Sequence, residues 1–216
     1  MGFRDTLLDF FFPPKCPFCG AVLAGDADLI CPRCRKNLPW TPDRPGKATF
    51  VKTVTAPRYY EGDVRRSMLD FKFNAIPARG RAFGRLAGEA VKRQGIEFDV
   101  LTWVPLSRKR LRKRGYDQAE LIARGAGEIL GTQPVSLLRK ARDVPPQSRI
   151  RSPEARRANI SGCYEVPEPS LVQGRRILII DDIITTGSTV SECARMLMLA
   201  GARQVSAASV ACHRDS

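Results

Sequence analysis

The sequence of 216 residues holds a single histidine, His213, and only 7% of it is aromatic. One histidine near the C-terminus offers no Ser-His-Asp or Cys-His arrangement for nucleophilic catalysis. No apolar run approaches the ~20 residues that cross a bilayer. Residues 7–12 are interrupted by Asp9 and followed by Pro13 and Pro14, so they read as a short docking helix of a cytoplasmic protein. Acidic residues are scarce: 22 Asp and Glu face 36 Lys and Arg, a formal net charge of +14. That imbalance favours an anionic partner, be it nucleic acid, a phosphate-rich metabolite or an anionic membrane. No internal repeat is present. Seven cysteines, an odd number, argue against a secreted disulfide framework and for a reducing compartment. Three of them, Cys163, Cys193 and Cys212, lie among apolar neighbours and are expected simply to be buried.

Residues 13–42 carry the other four cysteines and six prolines, and Asp43-Arg44-Pro45-Gly46 reads as a linker, which divides the chain into 1–45 and 46–216. In the second part, residues 50–60 have strand-like composition. Residues 62–73 and 79–94 have helical spacing, the latter with Phe83, Leu86, Ala87, Ala90 and Val91 on one face. A buried strand is expected at 98–106, a helix at 116–130, a strand at 176–180, a helix at 189–199 and a last strand at 204–211. Strands and helices in alternation predict an α/β domain, its parallel sheet covered on both faces. Residues 140–161, with three prolines and five arginines, read as a long loop of the kind that is often functional.

Cys16-Pro17-Phe18-Cys19 and Cys31-Pro32-Arg33-Cys34 are two Cys-x-x-Cys knuckles separated by eleven residues. The spacing brings four thiolates, Cys16, Cys19, Cys31 and Cys34, to one tetrahedral zinc ion, and a fully thiolate-ligated site is closed and therefore structural. A redox dithiol or buried free thiols are the alternatives. A ribbon of this size has little core of its own, so the metal supplies much of its folding free energy.

The most informative stretch begins with Ile177-Leu178-Ile179-Ile180 and continues Asp181-Asp182-Ile183-Ile184-Thr185-Thr186-Gly187-Ser188-Thr189. Four aliphatics deliver two carboxylates to the carboxyl end of a parallel strand, where open α/β sheets bind ligands. The hydroxyl-rich turn that follows opens a helix, whose free N–H groups and dipole suit a phosphate. A carboxylate pair repels phosphate but accepts hydroxyl donors, so Asp181 and Asp182 suit sugar hydroxyls. Val104-Pro105-Leu106-Ser107 ends the earlier strand, and Arg108-Lys109-Arg110-Leu111-Arg112-Lys113-Arg114 follows with six cations in seven positions. If the two strands are parallel, this basic loop lies at the same sheet edge as the acidic pair.

The aliphatic strand, the two acidic residues and the Thr-Thr-Gly-Ser turn resemble the phosphoribosyl-pyrophosphate motif of type I phosphoribosyltransferases. The resemblance implies that Asp181 and Asp182 accept hydrogen bonds from the ribose 2′ and 3′ hydroxyls. It further implies that Thr185, Thr186, Gly187, Ser188 and Thr189 cradle the 5-phosphate. Leu106, Ser107 and Arg108 would meet the pyrophosphate, with Mg²⁺ as cofactor. Val-Pro-Leu, the basic run, Arg114-Gly115-Tyr116 and Asp117-Gln118-Ala119-Glu120-Leu121, together with the cysteine ribbon, resemble the ComF family over nearly the whole chain. The segment 147–164, with Arg156, Arg157, Asn159 and Gly162, is similar to the loop that closes over substrate in transferases.

ComF membership implies a role in competence and in the uptake or processing of single-stranded DNA. Partners would then include a competence helicase or recombination-mediator proteins. On that reading Arg108, Arg110, Arg112, Lys113 and Arg114 meet a phosphate backbone. The alternative is a nucleobase phosphoribosyltransferase of salvage metabolism, with Asp181 and Asp182 catalytic. Such transferases usually carry a base-recognition hood, which is not evident here, so turnover stays open.

Overall fold

The computed structural model describes residues 13–23, 30–41, 48–74, 76–142 and 160–214. The expected docking helix at 7–12, the linker at 43–46 and most of the expected long loop fall outside them.

The described elements are α1 (Pro32–Asn37), β1 (Val54–Thr55), β2 (Arg58–Tyr59), α2 (Gly62–Phe73), α3 (Arg79–Arg93), β3 (Val100–Trp103), α4 (Arg108–Arg114) and α5 (Gln118–Leu130). They continue as β4 (Arg139–Lys140), β5 (Tyr164–Glu165), β6 (Arg176–Ile184), α6 (Ser188–Leu199) and β7 (Gln204–Cys212). The main sheet runs β1-β7-β6-β3, β2 also pairs with β7, and every pairing in it is parallel. Central parallel strands must be apolar on both faces, and β6 shows the division residue by residue. Leu178 and Ile180 enter a core with Phe71, Phe83 and Ile122, while Ile177 and Ile179 enter one with Val190, Cys193 and Leu197.

The ribbon is not a separate bead. Cys16, Phe18, Ile30 and Leu38 belong to the same core as Val64, Met68, Phe71 and Phe83. Phe18 and Phe83 stack with centroids 5.6 Å apart, and the Ser67 hydroxyl of α2 donates to the Pro17 carbonyl. Trp40 pairs with Arg58 of β2, whose guanidinium carbon lies 3.2 Å from the indole centroid. Burial lowers the pKa of Arg58 to about 10.

Several expectations change, among them the strand expected at 176–180, which runs on to Ile184 and so includes Asp181 and Asp182. The strand at 50–60 is two short strands, because Phe50 takes a left-handed φ of 66° and Pro57 has no N–H to donate. The strand at 98–106 shortens to β3, with Pro105 following it. The basic run is a helix, α4, rather than a loop. Ser107 caps it by accepting from the Arg110 N–H, Gly115 closes it at φ 83°, and Arg112, Lys113 and Arg114 sit in the last turn, where the dipole favours cations. Residues 140 and 164, the first residue of the expected loop and the last of the transferase-like loop segment, lie in the antiparallel pair β4 and β5.

A candidate phosphoribosyl site and a metal centre

Residues from four elements converge at the carboxyl ends of β3 and β6. The two strands pair in register, Trp103 opposite Ile180, and the Val104 N–H donates to the Ile180 carbonyl. Residues 104–107 therefore leave the sheet beside Asp181 and Asp182. A small cleft is lined by Asp181, Thr185, Gly187, Ser188 and Thr189, so the first carboxylate and the turn share one space. Gly187 has a φ of 69°, which lets the turn enter α6 without a Cβ clash. Thr186 and Ser188 hydroxyls bond each other at 2.8 Å, which fixes the rim of the turn.

The carboxylates are aimed by the backbone. Asp181 accepts from the Asp182 N–H at 2.8 Å, and Asp182 accepts from the Ile183 N–H at 2.7 Å. Burial, and then the charge of Asp182 beside it, push the Asp181 carboxyl well above the usual range. A hydroxyl donor, or a cation, relieves that cost. The arrangement can thus accept hydroxyls at one end and receive an anion at the other.

A second cleft, lined by Pro105, Leu106, Arg108, Arg139 and Lys140 among others, opens at the edge of β3. It joins the segment after β3 to the β4–β5 pair, whose connecting residues 143–159, including Arg156, Arg157 and Asn159, lie outside the described residues. Gly162, at the near end of that connection, donates its N–H to Glu192 Oε1 at 2.7 Å.

The basic residues separate. Arg108, Lys109, Arg112 and Lys113 of α4 are exposed, Arg110 is partly buried, and no residue of that helix is fully buried. Arg114 is partly buried, with its guanidinium over the exposed Phe73 ring at 5.5 Å and a bond to Gln118 Oε1 at 2.5 Å. Burial lowers its pKa while the Asp182 carboxylate opposes that shift.

Two residues near the site lacked any sequence signal specific to it. Lys72, the penultimate residue of α2, makes an ion pair with Asp182 Oδ2 at 2.7 Å. Asp117, the cap of α5, accepts from the Leu106 N–H at 2.7 Å as well as from Ala119 and Glu120. It thereby fixes the segment that follows β3. Burial raises Asp117 to about 6 despite those three donors. Its cap position was legible in Asp117-Gln118-Ala119, but its bond to Leu106 was not.

Beside α2, whose Ser67 bonds Pro17, the sulfur atoms of Cys16, Cys19, Cys31 and Cys34 all lie within 4.8 Å of one another. Sulfurs bound to one tetrahedral zinc at ~2.3 Å stand slightly under 4 Å apart, so the four fit the ion with little adjustment. Cys31 caps α1, and the Cys34 N–H bonded to its sulfur brings its thiol down to about 7. Burial pushes Cys34 up. Thiols packed this closely repel one another when ionised, and a zinc ion bound by all four removes that repulsion.

Comparison with known proteins agrees with both halves. Residues 7–45 match the double zinc ribbon domain, and residues 112–216 match the phosphoribosyl transferase domain. The DNA utilization protein YhgH of Salmonella typhi is 30% identical over 197 residues, covering 88% of this chain and 80% of the relative. Competence protein F of Haemophilus influenzae is 28% identical, covering 89% of this chain and 82% of the relative. The chain belongs to the ComF family. The ComF architecture of double zinc ribbon and phosphoribosyltransferase-like parallel sheet accounts for both clusters described above, and the ribbon cysteines form a structural zinc site. Among solved structures, the allosteric regulatory enzyme of purine biosynthesis is 23% identical with a TM-score of 0.46, covering 66% of this chain and 30% of that one. In this ComF chain Lys72 and Phe73 lie outside the 112–216 match, on a helix that the ribbon packs against. Among the described residues, no helix is long and apolar enough to cross a membrane.

Proposed function

We propose that the cleft binds a ribose 5-phosphate group, as carried by phosphoribosyl pyrophosphate with Mg²⁺, and that the protein serves the uptake or processing of single-stranded DNA in the cytoplasm. The observation that carries the first part is the sharing of one cleft by Asp181 and the turn Thr185–Gly187–Ser188–Thr189. A hydroxyl-accepting carboxylate and a phosphate-binding turn thus line one small cleft. Asp181 and Asp182 take the ribose hydroxyls, the turn takes the 5-phosphate, and Leu106, Ser107 and Arg108 face the pyrophosphate with its Mg²⁺. Any transfer chemistry would rest on positioning and electrostatics at these groups.

The second part is supported by the names of the relatives, a DNA utilization protein and a competence protein, and by α4. Arg108, Arg112 and Lys113 stand exposed on it beside the partly buried Arg110, forming a cationic ridge suited to a phosphate backbone. Arg114 is partly buried against Phe73 and Gln118 and stands apart from that ridge. A competence helicase or a recombination mediator would meet the protein with a strand already held there. Salvage of a nucleobase is the second reading, and the exposed Phe73 ring beside the Arg114 guanidinium is the observation that favours it.

The test is calorimetric titration of zinc-loaded protein with phosphoribosyl pyrophosphate, with and without Mg²⁺, alongside the Asp181→Asn, Asp182→Asn double variant. Magnesium-dependent binding lost in the variant at an unchanged thermal midpoint is expected. Absence of binding in both Mg²⁺ conditions sinks the pocket assignment and leaves single-stranded DNA as the leading ligand.

A further inference from the structure

Two adjacent carboxylates are a poor neighbour for a phosphate ester, since each added negative charge raises the cost of bringing the ligand in. The protein has an internal answer to this. Lys72 reaches Asp182 Oδ2 at 2.7 Å, and the two side chains are only 21% and 15% exposed. Screening by water is weak for a pair so covered, so its charge acts on the pocket more strongly than a surface pair would. The ammonium also bears on the second carboxylate, drawing Asp181 down against the burial that raises it.

Lys72 is held in place from three directions. The Tyr116 hydroxyl donates to the Phe71 carbonyl, Arg79 bonds the Ser67 carbonyl and Asp70, and the Ser67 hydroxyl reaches Pro17 of the first zinc knuckle. Met68 and Phe71, on the same helix, are fully buried in the core that includes the ribbon. The helix that carries Lys72 is therefore clamped between the metal centre and the pocket.

We propose that Lys72 is a positioning residue of this pocket: its ammonium fixes the orientation of the Asp182 carboxylate and cancels its charge, so that a phosphorylated ribose is accepted where two bare carboxylates would repel it. The proposal rests on the phosphoribosyl reading above and extends it to a residue outside the transferase match. The groups facing the carboxylate pair are Lys72 from α2, Arg114 from α4, Asp117 at the cap of α5, Tyr164 from β5 and Cys193 from α6. Among these, Lys72 alone is in salt-bridge contact with the pair among the described residues.

The experiment uses the full zinc-loaded chain as wild type, Lys72→Met and Lys72→Arg. Met keeps the aliphatic stem without the charge, and Arg restores the charge. Two quantities are measured: affinity for ribose 5-phosphate by calorimetry, and the titration midpoint of the Asp181 carboxyl by carbon NMR. Lys72→Met should weaken binding about tenfold, equivalent to about 1.4 kcal/mol, and move the Asp181 midpoint upward. Lys72→Arg should restore both at least in large part. An unmoved Asp181 midpoint in Lys72→Met overturns the proposal, as does tighter binding, which would make the pair an inhibitory latch. If wild type fails to bind ribose 5-phosphate, the phosphoribosyl reading falls, and the Asp181 midpoint still decides whether Lys72 governs the pair.

Discussion

Helices α3 and α5 cross at a distance that only glycine permits, and replacing Gly84 by alanine measures it. A Cβ at Gly84 would fall inside the contact radius of the Ile122 carbonyl oxygen and lie 2.7 Å from Ala126 N and Gly125 Cα. All three obstacles are backbone atoms of α5, so no side chain can rotate out of the way. Relief requires α3 and α5 to part by about 1 Å, which loosens contacts around Phe83, Ala87, Ile122 and Ala126, all fully buried. Alanine gains about 1 kcal/mol of helix propensity over glycine, and overpacking against rigid neighbours costs about 3–5 kcal/mol, at or above the usual range. The net expectation is a loss of about 2–4 kcal/mol, or roughly 10 °C in thermal midpoint for a chain of this size. Gly88 serves as the control, because its Cβ would meet its nearest atoms at 3.0 Å. Gly88→Ala should therefore cost little, since a few tenths of an ångström of adjustment offset the propensity gain. Thermal and urea unfolding of the two variants give the comparison. Equal midpoints for Gly84→Ala and wild type, or equal losses at the two positions, would refute the close crossing.

Asp117 predicts a pH dependence. Its folded carboxyl titrates at about 6 against an ordinary 3.8, so the folded protein holds that proton more tightly than the unfolded chain. The stability it contributes is fully present below about pH 4 and is lost as pH rises through about 6, by about 3 kcal/mol. Urea unfolding of Asp117→Asn should lack that component of the wild-type profile, and a profile parallel to wild type would contradict it. Removing zinc with a strong chelator should lower the stability of the whole molecule in one cooperative transition, because Phe18, Ile30 and Leu38 share a core with Phe71 and Phe83. Separate melting of a ribbon and a sheet domain, seen by calorimetry, would show that the shared core does not couple them.

Much of this was legible in the sequence for identifiable reasons. Four consecutive aliphatics in β6 could only be a central strand, and the turn residues after Asp182 fixed where the next helix begins. The paired Cys-x-x-Cys knuckles gave the metal centre through spacing alone. The limits of α2 at 62 and 73 followed from its periodicity. What stayed hidden is long-range or set by local competition. The basic run looked like a loop because its charges carry no apolar period, yet Arg, Lys and Leu form helix well once Ser107 and Gly115 cap the ends. Lys72 is an ordinary helix-end cation until α2 is docked, when it meets Asp182. Gly80, Gly84 and Gly88 are evenly spaced along α3, but the pattern acquires meaning only when α5 is packed against it. The ribbon and the sheet read as separate parts at a linker, and the core that joins them is invisible to composition.

The central claim is that one end of the cleft takes sugar hydroxyls at Asp181 and Asp182 while the other takes a phosphate at Thr185 to Thr189. Parallel calorimetric titrations with ribose 5-phosphate and 2-deoxyribose 5-phosphate test it most directly, since the two differ only in a hydroxyl the carboxylates would accept. Loss of a hydrogen bond to a charged acceptor is expected to weaken the deoxy compound by about 1.5–3 kcal/mol, tenfold or more. Equal affinity for the two sugars would mean that the carboxylate pair does not read the ribose, and the account of the site would fail.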